Sequence, residues 1–233
     1  MVAFQIGITK ILKEKGVTPD IVGGLSIGEY SALYASGVIT DKDAILIAEK
    51  RGVAMSKSSD VKCKMMAIVG APVDLVRDVC EKVSNNSGYM VQISNLNCPG
   101  QIVIAGEENA IDEVVSILKE NKIRKIIQLN VSGAFHSPLM QPAKDELQAA
   151  IEKVNFHTPK CPIIQNVDAK AHIDAAEIKA NLIAQLTNSV RWTPSVQEMI
   201  TMGATEFVEC GPGKALQGMI ARISKGVNAH GLV

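Results

Sequence analysis

The sequence predicts an α/β fold, a parallel-sheet, hydrolase-like core with a small ferredoxin-like α+β subdomain inserted into it. Three observations point there. A short apolar strand, Asp20 to Leu25, runs through glycines straight into a helix beginning near Ile27, the strand–turn–helix grammar of such folds. The middle of the chain then changes to the order β-α-β-β-α-β. Beyond it, helices and short strands alternate again. The large unit is expected to comprise residues 1–61 and 131–233, with residues 62–130 as the insert.

Each element has its own signal. Phe4, Ile8, Ile11 and Leu12 recur at helical spacing, with Lys10, Lys13, Glu14 and Lys15 on the other face and Gly16 as a C-cap. After the strand at residues 20–25, a helix carries Tyr30, Leu33 and Tyr34 toward Gly37. Thr40 then caps a second helix, with Asp43 at its third position, that carries Ile45, Leu46, Ala48 and Met55. In the insert, strands are predicted at residues 64–70, 90–95, 101–105 and 125–131, and helices at 73–83 and 110–121. Asn97-Cys98-Pro99-Gly100 supplies a turn. Helices follow at 142–154, 175–186 and 193–202, and short strands at 163–165 and 206–209. Gly211-Pro212-Gly213-Lys214 lacks phosphate-loop spacing and reads as a strand-to-helix turn. A parallel α/β domain usually begins with a strand, whereas this chain opens in a helix, so an N-terminal piece is expected to be missing.

Composition narrows the function. The 233 residues carry 24 Lys+Arg and 24 Asp+Glu, which leaves no electrostatic case for nucleic acid or an anionic membrane as partner. Hydrophobic residues make up 47%, enough for a sizeable core. No apolar run reaches the roughly 18 residues of a membrane span, and no signal peptide is recognisable. Cys63, Cys80, Cys98, Cys161 and Cys210 show no CxxC spacing. That argues against a disulfide framework and a metal site, and for a reducing, cytoplasmic setting.

The chemistry centres on Gly24-Leu25-Ser26-Ile27-Gly28. A serine on a sharp strand-to-helix turn needs small neighbours. Its hydroxyl then stands at a helix N-terminus, and the Ile27 amide can face a developing oxyanion. The same letters also fit a glycine-rich turn with an incidental serine. A serine nucleophile needs a base. Of His136, His157, His172 and His230, only His136 follows a buried strand and precedes a helix, at the ligand-binding edge of an α/β sheet. On position alone it serves equally as a hydrogen-bonded structural histidine.

Several segments together resemble the malonyl-CoA:acyl carrier protein transacylase family, in family order. They are Gly24-Leu25-Ser26-Ile27-Gly28-Glu29-Tyr30, Arg51-Gly52 with Met55, Asn95-Leu96-Asn97-Cys98-Pro99-Gly100-Gln101, Val131 to Met140, Gln185-Leu186 before Val190-Arg191-Trp192, and Gly211-Pro212-Gly213-Lys214. The resemblance implies that Ser26 is the nucleophile and His136 the base. It further implies that the Gln185 backbone carbonyl orients the imidazole and that Arg51 clamps the malonyl carboxylate. Phe135 resembles the pattern found with unbranched malonyl substrates. By its place after Glu49-Lys50 alone, Arg51 reads as a surface residue. A planar guanidinium nevertheless suits a carboxylate, and an unpaired buried cation disfavours an acetyl group. No permanent cofactor is implied. The coenzyme A thioester is the substrate, and the partners are malonyl-CoA and an acyl carrier protein in fatty acid or polyketide synthesis. Lys122, Arg124 and Lys125 form either part of a carrier-docking surface or a plain solvated face.

Two features depart from the family pattern. Leu25 stands where the family has a histidine, and it is expected to pack rather than hydrogen bond. The family's opening strand and Gly-Gln-Gly-Ser-Gln loop, whose glutamine amide supplies a second oxyanion donor, have no counterpart here. The loss of one donor typically costs about 100- to 1,000-fold in turnover. Weak activity is therefore expected unless another chain completes the site, and a monomer once the N-terminus is restored. Two other classes stay open: a serine esterase or lipase of another α/β type, and an inactive truncated paralogue that only binds carrier protein.

Overall fold

The computed structural model describes residues 1–57 and 61–232. Its large unit opens with α1 (Val2–Glu14), β1 (Val22–Gly23), α2 (Gly28–Ala35) and α3 (Asp41–Lys57). It resumes with a 3-10 turn (Pro138–Met140), α6 (Gln141–Ile151), β6 (Ile163–Ile164), β7 (Ala171–His172) and α7 (Ala175–Ala184). A second 3-10 turn (Gln185–Thr187) leads to α8 (Trp192–Thr201), β8 (Glu206–Glu209), α9 (Ala215–Ile223) and β9 (Asn228–Gly231). Between the two parts lie β2 (Cys63–Val69), α4 (Val73–Ser87), β3 (Val91–Cys98), β4 (Gln101–Glu107), α5 (Glu108–Glu120) and β5 (Lys125–Gln128). Among the described residues, no helix is long and apolar enough to cross a membrane.

The inserted sheet has the order β3-β4-β2-β5, antiparallel throughout. Its helices form because their apolar residues fall on one stripe: Val76, Val79, Cys80 and Val83 on α4, and Ala110, Ile111, Val114 and Leu118 on α5. Gly88, with φ of 72°, ends α4 in the left-handed region. β4 is buried on both faces. Ile102 and Ile104 join the helices in one cluster, while Val103 and Ala105 meet Ala134, Phe135 and Leu139 in another. Alternation along a single strand thus uses one face to build the insert and the other to dock the segment that carries His136.

The large unit is α/β as expected, with β1 and β6 in parallel at its centre. Its strands are short and mixed: β1 pairs with β6 in parallel, β7 adds to β6 antiparallel, and β8 pairs with β9 in a separate parallel ribbon. β7 and β9 were not expected from sequence, because Ala171-His172 and Asn228–Gly231 lack an apolar pattern. Helices carry the core instead, with Tyr30, Leu33, Ile47, Leu147, Ile151, Ile163 and Leu182 fully buried in one cluster. Two helix faces correct the sequence assignment. On α1 the buried residues are Val2 and Ile6, while Phe4 and Ile11 are exposed. On α3 the buried stripe is Ala44, Ile47, Arg51, Ala54 and Met55, and Ile45 and Leu46 are exposed. Small alanines let α3 pack closely, so counting bulky apolar residues selects the wrong face. Thr40 does cap α3, its Oγ1 accepting from the Asp43 amide at 3.1 Å.

Ile104 lies at the centre of the inserted sheet with no exposed surface. Ile104→Ala is expected to lower stability by about 2–5 kcal/mol, since the removed methyls leave a cavity between sheet and helices. Chemical denaturation with intrinsic fluorescence checks this.

Candidate active site

The parallel register of β1 and β6 builds the floor of the site. Val22 lies opposite Ile163 and Gly23 opposite Ile164, so the two C-terminal ends emerge side by side. One continues into Gly24-Leu25-Ser26 and the other into Gln165-Asn166. Ser26 has a left-handed φ of 53°, on average an unfavourable conformation by roughly 1–2 kcal/mol for a side-chain-bearing residue. The tight return requires Gly24, because a Cβ there would collide with the backbone of Gly28 and Glu29. Leu25 turns into an apolar cluster with Val190, Trp192, Val196 and Ile220. At the start of α2 the Ile27 amide donates to no acceptor among the described residues.

The residues proposed from sequence meet. Ser26 Oγ lies 2.7 Å from His136 Nε2, and His136 Nδ1 lies 2.9 Å from the backbone oxygen of Gln185. A carbonyl only accepts, so Nδ1 carries the proton and Nε2 is left to accept from the serine hydroxyl. His136 itself has a φ of 60°, and its carbonyl accepts from Gln92 Nε2 at 2.8 Å. Burial and the nearby Arg51 cation pull the imidazole down to about 4, against the backbone hydrogen bonds of Gln185 and Asn188, which raise it. It is therefore a neutral base at every ordinary pH.

Arg51 donates from Nη2 to Ser26 Oγ at 2.8 Å and is 6% exposed. Burial also lowers its own pKa, while Tyr30 and Glu29 oppose the shift. Its guanidinium carbon sits 5.7 Å from the Tyr30 ring centroid. The buried Nε has no hydrogen-bond partner among the described residues. A buried donor left unsatisfied costs about 1–3 kcal/mol, so the site holds a standing demand for an acceptor beside the serine hydroxyl. Phe135, next to His136, packs in the seam between the inserted sheet and the helical core.

Sequence reasoning missed several groups. Asn166 accepts from the Ser26 amide at 2.7 Å and donates to the Gly24 carbonyl at 2.7 Å. Glu29, fully buried, accepts from Gln165 Nε2 at 3.0 Å and from the Asn166 amide at 2.9 Å. Gln185 Nε2 donates to the Ser26 carbonyl at 3.1 Å. A signal was available for Asn166: it follows a strand end at the sheet edge where ligands gather. Of the other histidines, His172 lies in β7 just before α7, between Asp168 and Glu177. His230 is half exposed in β9.

Comparison with known proteins adds the relatives. A family model described as "Acyl transferase domain" matches residues 1–229. The chain is 39% identical over 222 residues to the malonyl CoA-acyl carrier protein transacylase of Bacillus subtilis (strain 168), covering 95% of this chain and 70% of that protein. An acyl carrier protein S-malonyltransferase from Vibrio cholerae superposes with a TM-score of 0.95 at 36% identity, covering 99% of this chain and 76% of the other. A malonyl-transacylase solved in complex with a type II PKS acyl-carrier protein gives 0.94 at 35% identity, covering 99% and 75%.

The His136 shift gives a direct expectation. In an NMR titration its ring protons are expected to stay at the neutral position down to about pH 4, because desolvation and Arg51 both disfavour the imidazolium. A midpoint near 6.5 would contradict the buried, Arg51-flanked environment.

Proposed function

The chain belongs to the acyl transferase domain family, and from that premise we propose that it moves a malonyl group from coenzyme A to the phosphopantetheine thiol of an acyl carrier protein. The observation that carries this reading is Arg51: a buried guanidinium touching the nucleophilic hydroxyl, with Nε lacking an acceptor. A malonyl thioester brings the missing acceptor. Its carboxylate sits two bonds from the carbonyl that Ser26 attacks, and a guanidinium edge accepts it through two parallel hydrogen bonds. An acetyl group leaves the cation unpaired.

The cycle has two halves. Ser26 Oγ attacks the thioester carbonyl while His136 Nε2 takes its proton. The C–S bond breaks, His136 returns the proton to the departing thiolate, and a malonyl-serine ester remains. The carrier's pantetheine thiol then gives its proton to His136 and attacks the ester carbonyl. The Ser26 C–O bond breaks as His136 protonates the serine oxygen. The open Ile27 amide at the head of α2 faces the negative charge that develops on the carbonyl oxygen. His136 is uncharged at rest, so it accepts the first proton without titration. We place the reaction in a reducing cytoplasm, in keeping with the five free cysteines.

Mixing the protein with malonyl-CoA is expected to release a burst of coenzyme A and to raise the mass of the Ser26 peptide by one malonyl group. Ser26→Ala abolishes both. Arg51→Ala is expected to cut kcat/KM for malonyl-CoA by roughly 100-fold or more while sparing acetyl-CoA. An equal loss for both donors would point to a serine esterase instead.

A further inference from the structure

The nucleophile's backbone is held on one side by the first turn of α2, where Gly28 and Glu29 donate to the Leu25 and Ser26 carbonyls, and on the other by side chains. β1 ends at Gly23 and α2 begins at Gly28. Between them, the Gly24 carbonyl and the Ser26 amide both bond to the Asn166 side chain, and the Ser26 carbonyl accepts from Gln185. Asn166 is itself buried and fixed through its own amide, which ends on Glu29. Glu29 takes a second donor, Gln165 Nε2, whose other bond goes to the Ile178 carbonyl on α7. Among the described residues Glu29 forms no ion pair, and it plays no part in the transfer chemistry. A buried carboxylate ringed by N–H donors is kept there for what it fixes.

We propose that Asn166 and Glu29 are positioning residues for Ser26: the Asn166 amide clamps the elbow in the left-handed conformation that sets Oγ on His136, and the Glu29 carboxylate fixes Asn166. The proposal rests on the reading of Ser26 as the nucleophile. Neither residue touches substrate. Asn166 suits its place because one side chain must accept from an N–H and donate to a C=O two residues apart, which a carboxylate or hydroxyl does less well. Ionised, Glu29 presents a full carboxylate acceptor to each donor; protonated, one of its oxygens becomes a hydroxyl and holds its donor more weakly. Tyr30 from its own helix and Arg51 from α3 are the titratable groups that face it, with Gln165, Asn166 and Gln185 as neutral neighbours. Burial pushes the carboxyl up to about 7 against those hydrogen bonds. Its protonation, not that of His136, therefore falls in the neutral range.

The test uses a fluorophosphonate, whose phosphorus is attacked by Ser26 Oγ with loss of fluoride, so it reads nucleophile geometry without any malonyl group. Labelling rates, mapped to Ser26 by mass spectrometry, are measured from pH 5.5 to 8.5, with circular dichroism and melting curves as fold controls. Asn166→Ala is expected to label at least about 10-fold more slowly than wild type at pH 8, with KM for malonyl-CoA within about twofold, because misplacement of the attacking atom lowers rate rather than binding. Glu29→Gln is expected to slow labelling several-fold at pH 8 and to remove the rise that wild type shows as pH passes about 7. If Asn166→Ala does not fold, Asn166→Asp, which keeps the acceptor for Ser26 and loses the donor to Gly24, is judged by the same rate. Folded variants that label within about twofold of wild type, or a wild-type profile flat through neutral pH, overturn the proposal. A wild type that labels at Ser26 but transfers no malonyl sinks the proposed activity and leaves this test standing.

Discussion

The 2.7 Å hydrogen bond between Ser26 Oγ and His136 Nε2 joins groups 110 positions apart, and the rest of the structure exists to make that distance possible. Each partner arrives by a different route. Ser26 comes off the end of a two-residue strand whose place is fixed by parallel pairing with β6. His136 comes off a loop pressed against the outer face of the inserted sheet through Val103, Ala105 and Met65, with Gln92 holding its carbonyl. Both residues take left-handed backbone angles, 53° and 60°. Strain at two facing residues persists only where surrounding contacts over-determine them. The side-chain bonds from Asn166 and Gln92, and the seam between sheet and core, supply those contacts.

The seam is also bonded through the backbone. Leu96 donates to the Val190 carbonyl at 2.9 Å, and Val190 donates to the Ser94 carbonyl at 2.8 Å. Ser189 adds a side-chain bond to Ile93. This strap lies just beyond the turn that carries Gln185, so the group orienting the imidazole is tied to β3, the same strand that carries Gln92. The insert is thus part of the frame of the site: displacing β3 would move both the carbonyl that selects the tautomer and the side chain that holds the histidine loop.

How much of this was legible depends on whether a residue's role is local. Ser26 could be read because a strand, three small residues and a helix must follow one another in sequence to build an elbow. Arg51 was visible only through family resemblance, since Glu49 and Lys50 beside it suggest solvent. Its true signal was phase: Ala44, Ile47, Arg51 and Ala54 fall on one face of α3, and an arginine on a buried stripe asks for a partner. The bulkier Ile45 and Leu46 masked that stripe, as Phe4 and Ile11 masked Val2 and Ile6 on α1. Asn166 and Glu29 were invisible for a different reason. Their partners are 136 to 142 residues away, and only the register of two short parallel strands brings them together.

His136 is oriented by a neutral group and flanked by a cation. A carboxylate at the Gln185 position would stabilise the imidazolium formed during attack, as in the serine–histidine–aspartate arrangement. The site already holds one carboxylate on the Arg51 side, Glu29, whose charge opposes the burial-driven loss of the guanidinium proton. A backbone carbonyl sets the tautomer equally well and offers the guanidinium no full charge. The imidazole is weakly basic all the same, drawn down to about 4 by burial and by Arg51. On the proposed reading, the buried guanidinium that touches Ser26 Oγ is also the group that meets the carboxylate of the acyl donor, so the donor's charge is read beside the attacking atom.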